Sequence, residues 1–373
     1  MRLANGGTLL AALVVASLVA VAGGAGTAAV AAQEDCSFPI SQVDATGTEV
    51  TVEGEPERIV TLSPSAAQTM WEIGATDKVV GVTKYADYLD GAEEKRNISG
   101  SGYTTIVPEK VVAAEPDLVL APNIVSDEAV ESLRERGLTV YKFRASESLE
   151  DIVAKTELTG RLVGACEGTG ETAAEMESDL ALIEQTVAGE DRPLVLYEFS
   201  GGYTAGEGTF VHSLIETAGG RNLAAEAGVE GYQPISEETV VERDPEFLIQ
   251  TTRSPDPPAS TAYNETTAVR EGNIVVVNTD YLNQPAPRTV DAVRKMVKAF
   301  HPEAYQAALA TPTSTPTEQS PADGTPTVTD GATDTPTSAG SSTPTDVSTS
   351  VPGLGVVPAV AAIAMATLLF RRR

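Results

Sequence analysis

The order of the 373 residues predicts an α/β protein of two layered lobes joined by one long α-helix. Three observations carry this. From Arg58 to Phe300, short β-branched runs alternate with amphipathic helical stretches, as in helices laid on largely parallel sheets. From Ser148 to Val187 the apolar residues keep helical spacing for about 60 Å at 1.5 Å per residue. The halves also echo each other: Glu109 to Leu120 lines up without a gap on Glu238 to Ile249. Each copy is a short helix with a glutamate in its first turn, a proline turn (Pro116, Pro245) and a buried strand.

The first-half strands are expected at Arg58 to Leu62, Val79 to Val82, Leu118 to Ala121 and Thr139 to Tyr141. Ser63 caps the next helix, Pro64 takes its first position, and Gly74 closes the run Ser65 to Ile73. That helix start faces the carboxyl ends of the strands, the edge where open sheets bind ligands. In the joining stretch, Ser148 and Asp151 form a capping pair, Leu149, Ile152, Val153, Val163, Cys166, Ala173, Leu180, Ile183 and Val187 make the apolar stripe, and Gly164, Gly168 and Gly170 mark a kink or break. Second-half strands are expected at Leu194 to Phe199, Phe247 to Gln250 and Ile274 to Val277. The divisions are an N-terminal arm 33–57, a lobe 58–147, the helix 148–187 and a lobe 188–310, two Rossmann-like lobes with a ligand cleft between them.

The ends read as export and anchoring. Residues 1–32 have the charge, apolar core and small-residue cleavage order of a signal peptide. Residues 311–350 are a Thr/Ser/Pro-rich stalk, and 351–373 carry an apolar run ending in three arginines, a membrane anchor or sorting signal with the body of the chain outside. Pro352-Gly353-Leu354-Gly355 resembles the archaeal PGF-type C-terminal sorting signal, with Leu354 in place of its Phe. The expected location is the extracellular face of the cell membrane.

The net charge is −28, from 53 acidic and 25 basic residues. Spread over a domain, it suits a halophilic chain kept soluble in high salt or an ordinary acidic exported protein, and it excludes nucleic acid as a partner. Cys36 and Cys166 can form one disulfide or remain two buried thiols. Asn97 and Asn264 head glycosylation sequons.

Catalytic motifs do not emerge. His212 and His301 are the two histidines, and the zinc-protease, nucleophile-elbow, phosphate-loop and paired-cysteine patterns are all missing from the sequence, so no catalytic residue, cofactor or metal is assigned. His212 reads as structural, His301 as exposed and Trp71 as core. Aromatic residues gather instead at strand ends and helix starts: Tyr85, Tyr88, Tyr103, Phe199, Tyr203, Tyr232 and Tyr281. Such apolar faces suit a large flat ligand. Gly201 to Thr209 either presents backbone N–H groups to an anionic ligand edge or makes a tight crossing, and Arg288 is either a partner for ligand carboxylate or phosphate or a surface charge.

These segments resemble the cobalamin and ferric-siderophore substrate-binding family of ABC importers over roughly Asp44 to Pro302. The carriers are Arg58 to Ser65, Gly81 to Tyr88, the two glutamate repeats, Tyr203 to Gly206 and Ala218 to Asn222. The resemblance implies a monomer that captures a corrinoid, or alternatively a ferric siderophore or haem, and delivers it to an ABC permease and its ATPase. It implies permease docking through Glu109 and Glu238. Cobalamin binders of the family place tryptophans before both glutamate helices, where this chain has Tyr103 and Tyr232. Outside that class stands a surface enzyme or adhesion module on the same scaffold.

Overall fold

A computed structural model describes residues 36–101, 106–199 and 201–311. The expected signal peptide, C-terminal anchor and Tyr103 lie outside the described residues, as does the stalk beyond Thr311.

The arm is not a plain extension. Strands β1 (Ile40–Val43) and β2 (Glu49–Val52) pair as an antiparallel hairpin. Asp44, at its turn, is 1% exposed and fixes the hairpin to the first lobe. Its carboxylate accepts from Thr46 N–H (2.8 Å), the Thr46 hydroxyl (2.6 Å), Thr48 N–H (3.3 Å), Lys142 N–H (3.1 Å) and Arg134 Nη2 (2.5 Å). Burial works against the charge, but the bonds from Thr46, Arg134 and Lys142 together hold the carboxyl below its ordinary value.

The first lobe carries β3 (Ile59–Thr61), β4 (Val79–Val82), β5 (Arg96–Asn97), β6 (Leu118–Ala121) and β7 (Val140–Lys142), all parallel in the order β5-β4-β3-β6-β7. Ile59 and Val60 are fully buried on opposite faces, because parallel sheets are covered on both sides. The helices are α1 (Pro64–Glu72), α2 (Pro108–Val112) and α3 (Asp127–Arg134). At the start of α1 the Ser63 hydroxyl accepts the Ala66 N–H and Pro64 opens the helix, as the sequence predicts.

The expected single stretch from 148 to 187 is two helices, α4 (Leu149–Val163) and α5 (Cys166–Val187). Gly164 adopts φ +72°, and Ala165 N–H bonds Gly160 O at 2.9 Å, a left-handed helix stop. The chain then folds back. A Cβ at Gly160 would lie 2.0 Å from Thr169 Oγ1, although residues nine apart on one straight helix are separated by about 13 Å along its axis. One long helix still joins the lobes, but it is α5 alone, about 33 Å long. Near its start the Thr172 hydroxyl donates to Glu72 O (2.9 Å), and further along Ala173, Met176, Leu180 and Ile183 enter the second core. Cys36 is disulfide-bonded to Cys166, the first residue of α5, with Cα atoms 6.0 Å apart. A link closing so long a loop is worth about 5 kcal/mol in the chain-entropy account.

The second lobe holds β8 (Leu194–Phe199), β9 (Tyr203–Ala205), β10 (Arg221–Asn222), β11 (Tyr232–Pro234), β12 (Phe247–Thr251) and β13 (Ile274–Val277). Their order is β11-β9-β8-β12-β13, with β10 also on β8. β10, β12 and β13 join parallel, whereas β9 and β11 extend the sheet antiparallel. Helices α6 (Phe210–Thr217), α7 (Leu223–Glu226), α8 (Glu237–Arg243), α9 (Thr261–Asn264), α10 (Thr267–Glu271), α11 (Thr279–Asn283), α12 (Thr289–Phe300) and α13 (Pro302–Ala310) complete it. α12 is pinned to α5 by Arg294 Nη1, which reaches both carboxylate oxygens of Asp179 at 2.8 and 2.7 Å. His301, expected to be exposed, is buried, with Nε2 3.3 Å from Gly219 O. The space exists because Gly219 has no side chain: a Cβ there would lie 2.5 Å from the ring. Among the described residues no helix is long and apolar enough to cross a membrane.

The internal echo extends to backbone detail. Glu115 and Asp244, equivalent residues before Pro116 and Pro245, both take φ +47°, the two positive-φ positions without glycine among the described residues. Asp117 Oδ2 accepts the N–H groups of Glu57 (3.0 Å) and Arg58 (2.9 Å), and its equivalent Glu246 accepts Leu194 N–H through Oε1 (2.8 Å). In both lobes a carboxylate therefore brackets the start of the neighbouring strand.

Candidate functional site

Helices α1 and α4 meet the segment around Pro285 and Arg288 of the second lobe along one seam. A small cavity there is lined by Ser65 and Thr69 of α1, Pro122 and Phe143 beyond β6 and β7, Lys155 of α4 and Pro285 from the second lobe. Lys155 Nζ donates to Pro285 O, and burial lowers its pKa to about 8.

The aromatic residues fall into two groups and one outlier. In the second lobe, Phe199 lies 5.5 Å from Tyr197, nearly parallel to it, 6.1 Å from Tyr203 and 5.9 Å from Tyr232 in an edge contact. The antiparallel extension builds this group, because β9 pairs with both β8 and β11. Tyr203 and Tyr232 thus stand on strands rather than on the loop ends the sequence suggested. Burial raises the Tyr232 phenol above its ordinary pKa, and that of Tyr197 still further.

The second group straddles the seam. Tyr88 accepts a hydrogen bond from Gln68 Nε2 (2.9 Å), and burial pushes its phenol up to about 12. The charges that act on it, Asp280 and Arg288 with Tyr281, all come from the other lobe. Arg288 is committed: its Nε donates to Glu72 Oε1 (2.6 Å), its N–H to Gln68 Oε1 (3.0 Å), and its guanidinium sits 5.6 Å from the Tyr281 ring centroid. It is therefore an interlobe connector, a role the sequence alternatives of surface charge or ligand partner did not include. Tyr85 stands apart, exposed, with Lys84 Nζ 5.1 Å from its ring.

The glycine-rich segment takes the crossing alternative. Gly201 and Gly202, both at φ +78°, turn β8 into β9, and Gly206 runs so close to Val229 that a Cβ would fall 2.0 Å from its carbonyl oxygen. The turn is held by Glu198, 4% exposed, whose Oε1 accepts Gly202 N–H (3.0 Å). Burial raises the Glu198 pKa, against the pull of the Gly202 hydrogen bond. A raised folded-state pKa contributes stability below the unfolded value, 4.5 for Glu, and loses it as pH rises through the folded value. Glu198→Gln, which removes the charge and keeps an acceptor for Gly202, is therefore expected to stabilise the protein at pH 7.5, with the gain vanishing below about pH 4. Urea unfolding at both pH values checks this, and a variant no more stable at pH 7.5 refutes it.

Glu109 and Glu238 are exposed first-turn residues of α2 and α8 at equivalent places in the repeat. Arg136 approaches Glu109 only to 3.9 Å, and the Glu109 side chain remains 74% exposed. Asn97 and Asn264 are exposed, while the hydroxyl residues of their sequons, Ser99 and Thr266, are buried. His212 is structural, its Nδ1 3.2 Å from Asn222 Nδ2, and half-buried Trp71 donates to Asp90 O (2.8 Å). Among the described residues no group of three or more His, Cys, Asp or Glu is placed to hold a metal. Sequence reasoning missed Gln68, Glu72, Lys155 and Ile124. Ile124, just beyond β6, is 68% exposed, an apolar residue at the carboxyl edge of the sheet.

Comparison with known proteins agrees with this architecture. Residues 59–281 match the family described as periplasmic binding protein. The Cobalamin-binding protein of Halobacterium salinarum is 44% identical over 281 residues, 72% of this chain and 76% of that protein. Among solved structures, the apo periplasmic heme-binding protein RhuT of Roseiflexus sp. RS-1 superposes with a TM-score of 0.59 at 25% identity, covering 68% of this chain and all of that one. The periplasmic vitamin B12 binding protein BtuF of Vibrio cholerae superposes with a TM-score of 0.58 at 24% identity, covering 69% and 99%.

Proposed function

We propose, since the chain belongs to the periplasmic binding protein family, that it is the extracellular substrate-binding component of an ABC importer, capturing cobalamin or another corrinoid and passing it to the permease and its ATPase. The observation that carries the ligand class is the 44% identity to a cobalamin-binding protein, sustained through both lobes. The aromatic groups around Phe199 and Tyr88 supply apolar faces for a broad macrocycle. Haem is the second reading, supported by the similarity to RhuT. It is less favoured because the identity to that protein is 25%, against 44% to the cobalamin-binding protein. Glu109 and Glu238 are the permease handles, one on each lobe. The export signal and the C-terminal apolar run read from the sequence would keep the protein at the outer face of the membrane, and no catalytic step is assigned.

The test is titration with cyanocobalamin in high salt, followed by the corrin absorbance. One-to-one saturable binding is expected, and Phe199→Ala is expected to weaken it about 30-fold, the loss of roughly 2 kcal/mol that truncating a buried aromatic anchor produces. Binding of haem or a ferric siderophore in place of cyanocobalamin would move the assignment to iron uptake. Binding of none of the three would overturn it.

A further inference from the structure

Gln68 draws its hydrogen-bond partners from both lobes. It lies on α1 and is fully buried, where a primary amide is tolerated only if its polar ends find partners. Its two ends are satisfied by different lobes: Nε2 donates to the Tyr88 hydroxyl of the first, and Oε1 accepts the Arg288 N–H of the second. One helical turn on, Glu72 takes the Arg288 side chain, which holds Tyr281. The mounting of α1 is itself firm, since Thr172 of α5 donates to Glu72 O and Gly168 passes so close that a Cβ would lie 2.4 Å from Ile73 O. One face of a fixed helix thus reaches an aromatic residue on each side of the seam.

We propose that Gln68 is a positioning residue that fixes Tyr88 and, through Arg288, Tyr281 relative to one another across the seam. The proposal rests on the binding function argued above. The Glu72–Arg288 ion pair cannot hold this arrangement alone, because its side chains are 27% and 26% exposed and such pairs are weak and screened by salt. The Gln68 bridge is neutral and dry and keeps its strength in brine.

The experiment places spin labels on exposed positions of each lobe, Glu128→Cys and Glu242→Cys, and measures the interlobe distance distribution without ligand by double electron–electron resonance. The parent protein is expected to give one narrow distribution. Gln68→Met, which keeps the volume and removes both bridges, is expected to broaden it by several ångströms and to weaken cyanocobalamin binding about tenfold. Combining Gln68→Met with Tyr88→Phe is expected to weaken binding no more than Gln68→Met alone, because both changes cut the same relay. Should Gln68→Met fail to fold, Tyr88→Phe, which deletes only the hydroxyl, reads the same relay by the same broadening. An unchanged distribution in the folded variants overturns the proposal. Broadening in a protein that does not bind cyanocobalamin even as the parent upholds the positioning role and overturns the corrinoid reading instead.

Discussion

Replacing Glu109 and Glu238 together by arginine is expected to cut corrinoid import at least 100-fold while the dissociation constant in solution changes less than twofold. Both carboxylates are exposed and stand in the first turns of equivalent short helices, and neither takes part in the contacts that build the two aromatic groups. Their effect on ligand affinity should accordingly be small. In high salt the long-range attraction between charged surfaces is screened to a few ångströms, so what such residues contribute is contact pairing. The family resemblance implies that these glutamates pair with arginines of the permease, and placing arginine against arginine costs several kcal/mol per contact. Uptake of labelled cobalamin by cells carrying the double variant, alongside titration of the purified protein, separates the two effects. Retained uptake, or affinity lost with it, refutes the docking role.

Asp44→Ala is expected to lower the unfolding free energy by about 3–5 kcal/mol, the usual cost of removing one partner of a buried ion pair. The change strands Arg134, whose side chain is only 15% exposed, and leaves the N–H groups of Thr46, Thr48 and Lys142 without their acceptor. The loss depends on pH. A depressed folded-state pKa contributes stability that is complete above the unfolded value, 3.8 for Asp, and that fades as pH falls through the lower folded value. The gap between parent and variant should therefore be full at pH 7 and narrow below about pH 4. Chemical unfolding at pH 7 and pH 3 in matched salt measures it, and a difference under 1 kcal/mol at pH 7, or one independent of pH, contradicts the account.

Much of the fold was legible because buried parallel strands are continuous β-branched runs. Val79–Val82, Leu118–Ala121, Leu194–Phe199 and Ile274–Val277 stand where the sequence places them. The short strands of the arm and of the antiparallel extension escaped, since Tyr203 and Tyr232 lie among glycine, threonine and proline that carry no alternation. Gly164 signalled a break in the joining helix, but the fold-back depends on Gly160 meeting Thr169, a contact that periodicity does not encode. The aromatic residues were found by their position after strands or before helices, whereas nothing singled out Gln68 and Glu72 within the helix Ser65 to Ile73. Their partner Arg288 lies 216 residues or more away in sequence, and only the assembled lobes bring it to them.

The disulfide between Cys36 and Cys166 has a consequence for biogenesis. A chain made from its N-terminus presents Cys36 first, and its partner follows 130 residues later, at about 5–20 residues per second a wait of roughly 7 to 26 seconds. By then every strand of the first lobe has been made, and the bond can seal that lobe while the second is still unborn. What remains open is the face of α4 bearing Leu149, Ile152 and Val153, which belongs to the second core, whose other members Val195, Ile249 and Val293 have yet to be synthesised. The sealed lobe would then serve the newborn chain as a finished platform, with that apolar face as the template on which its sibling condenses.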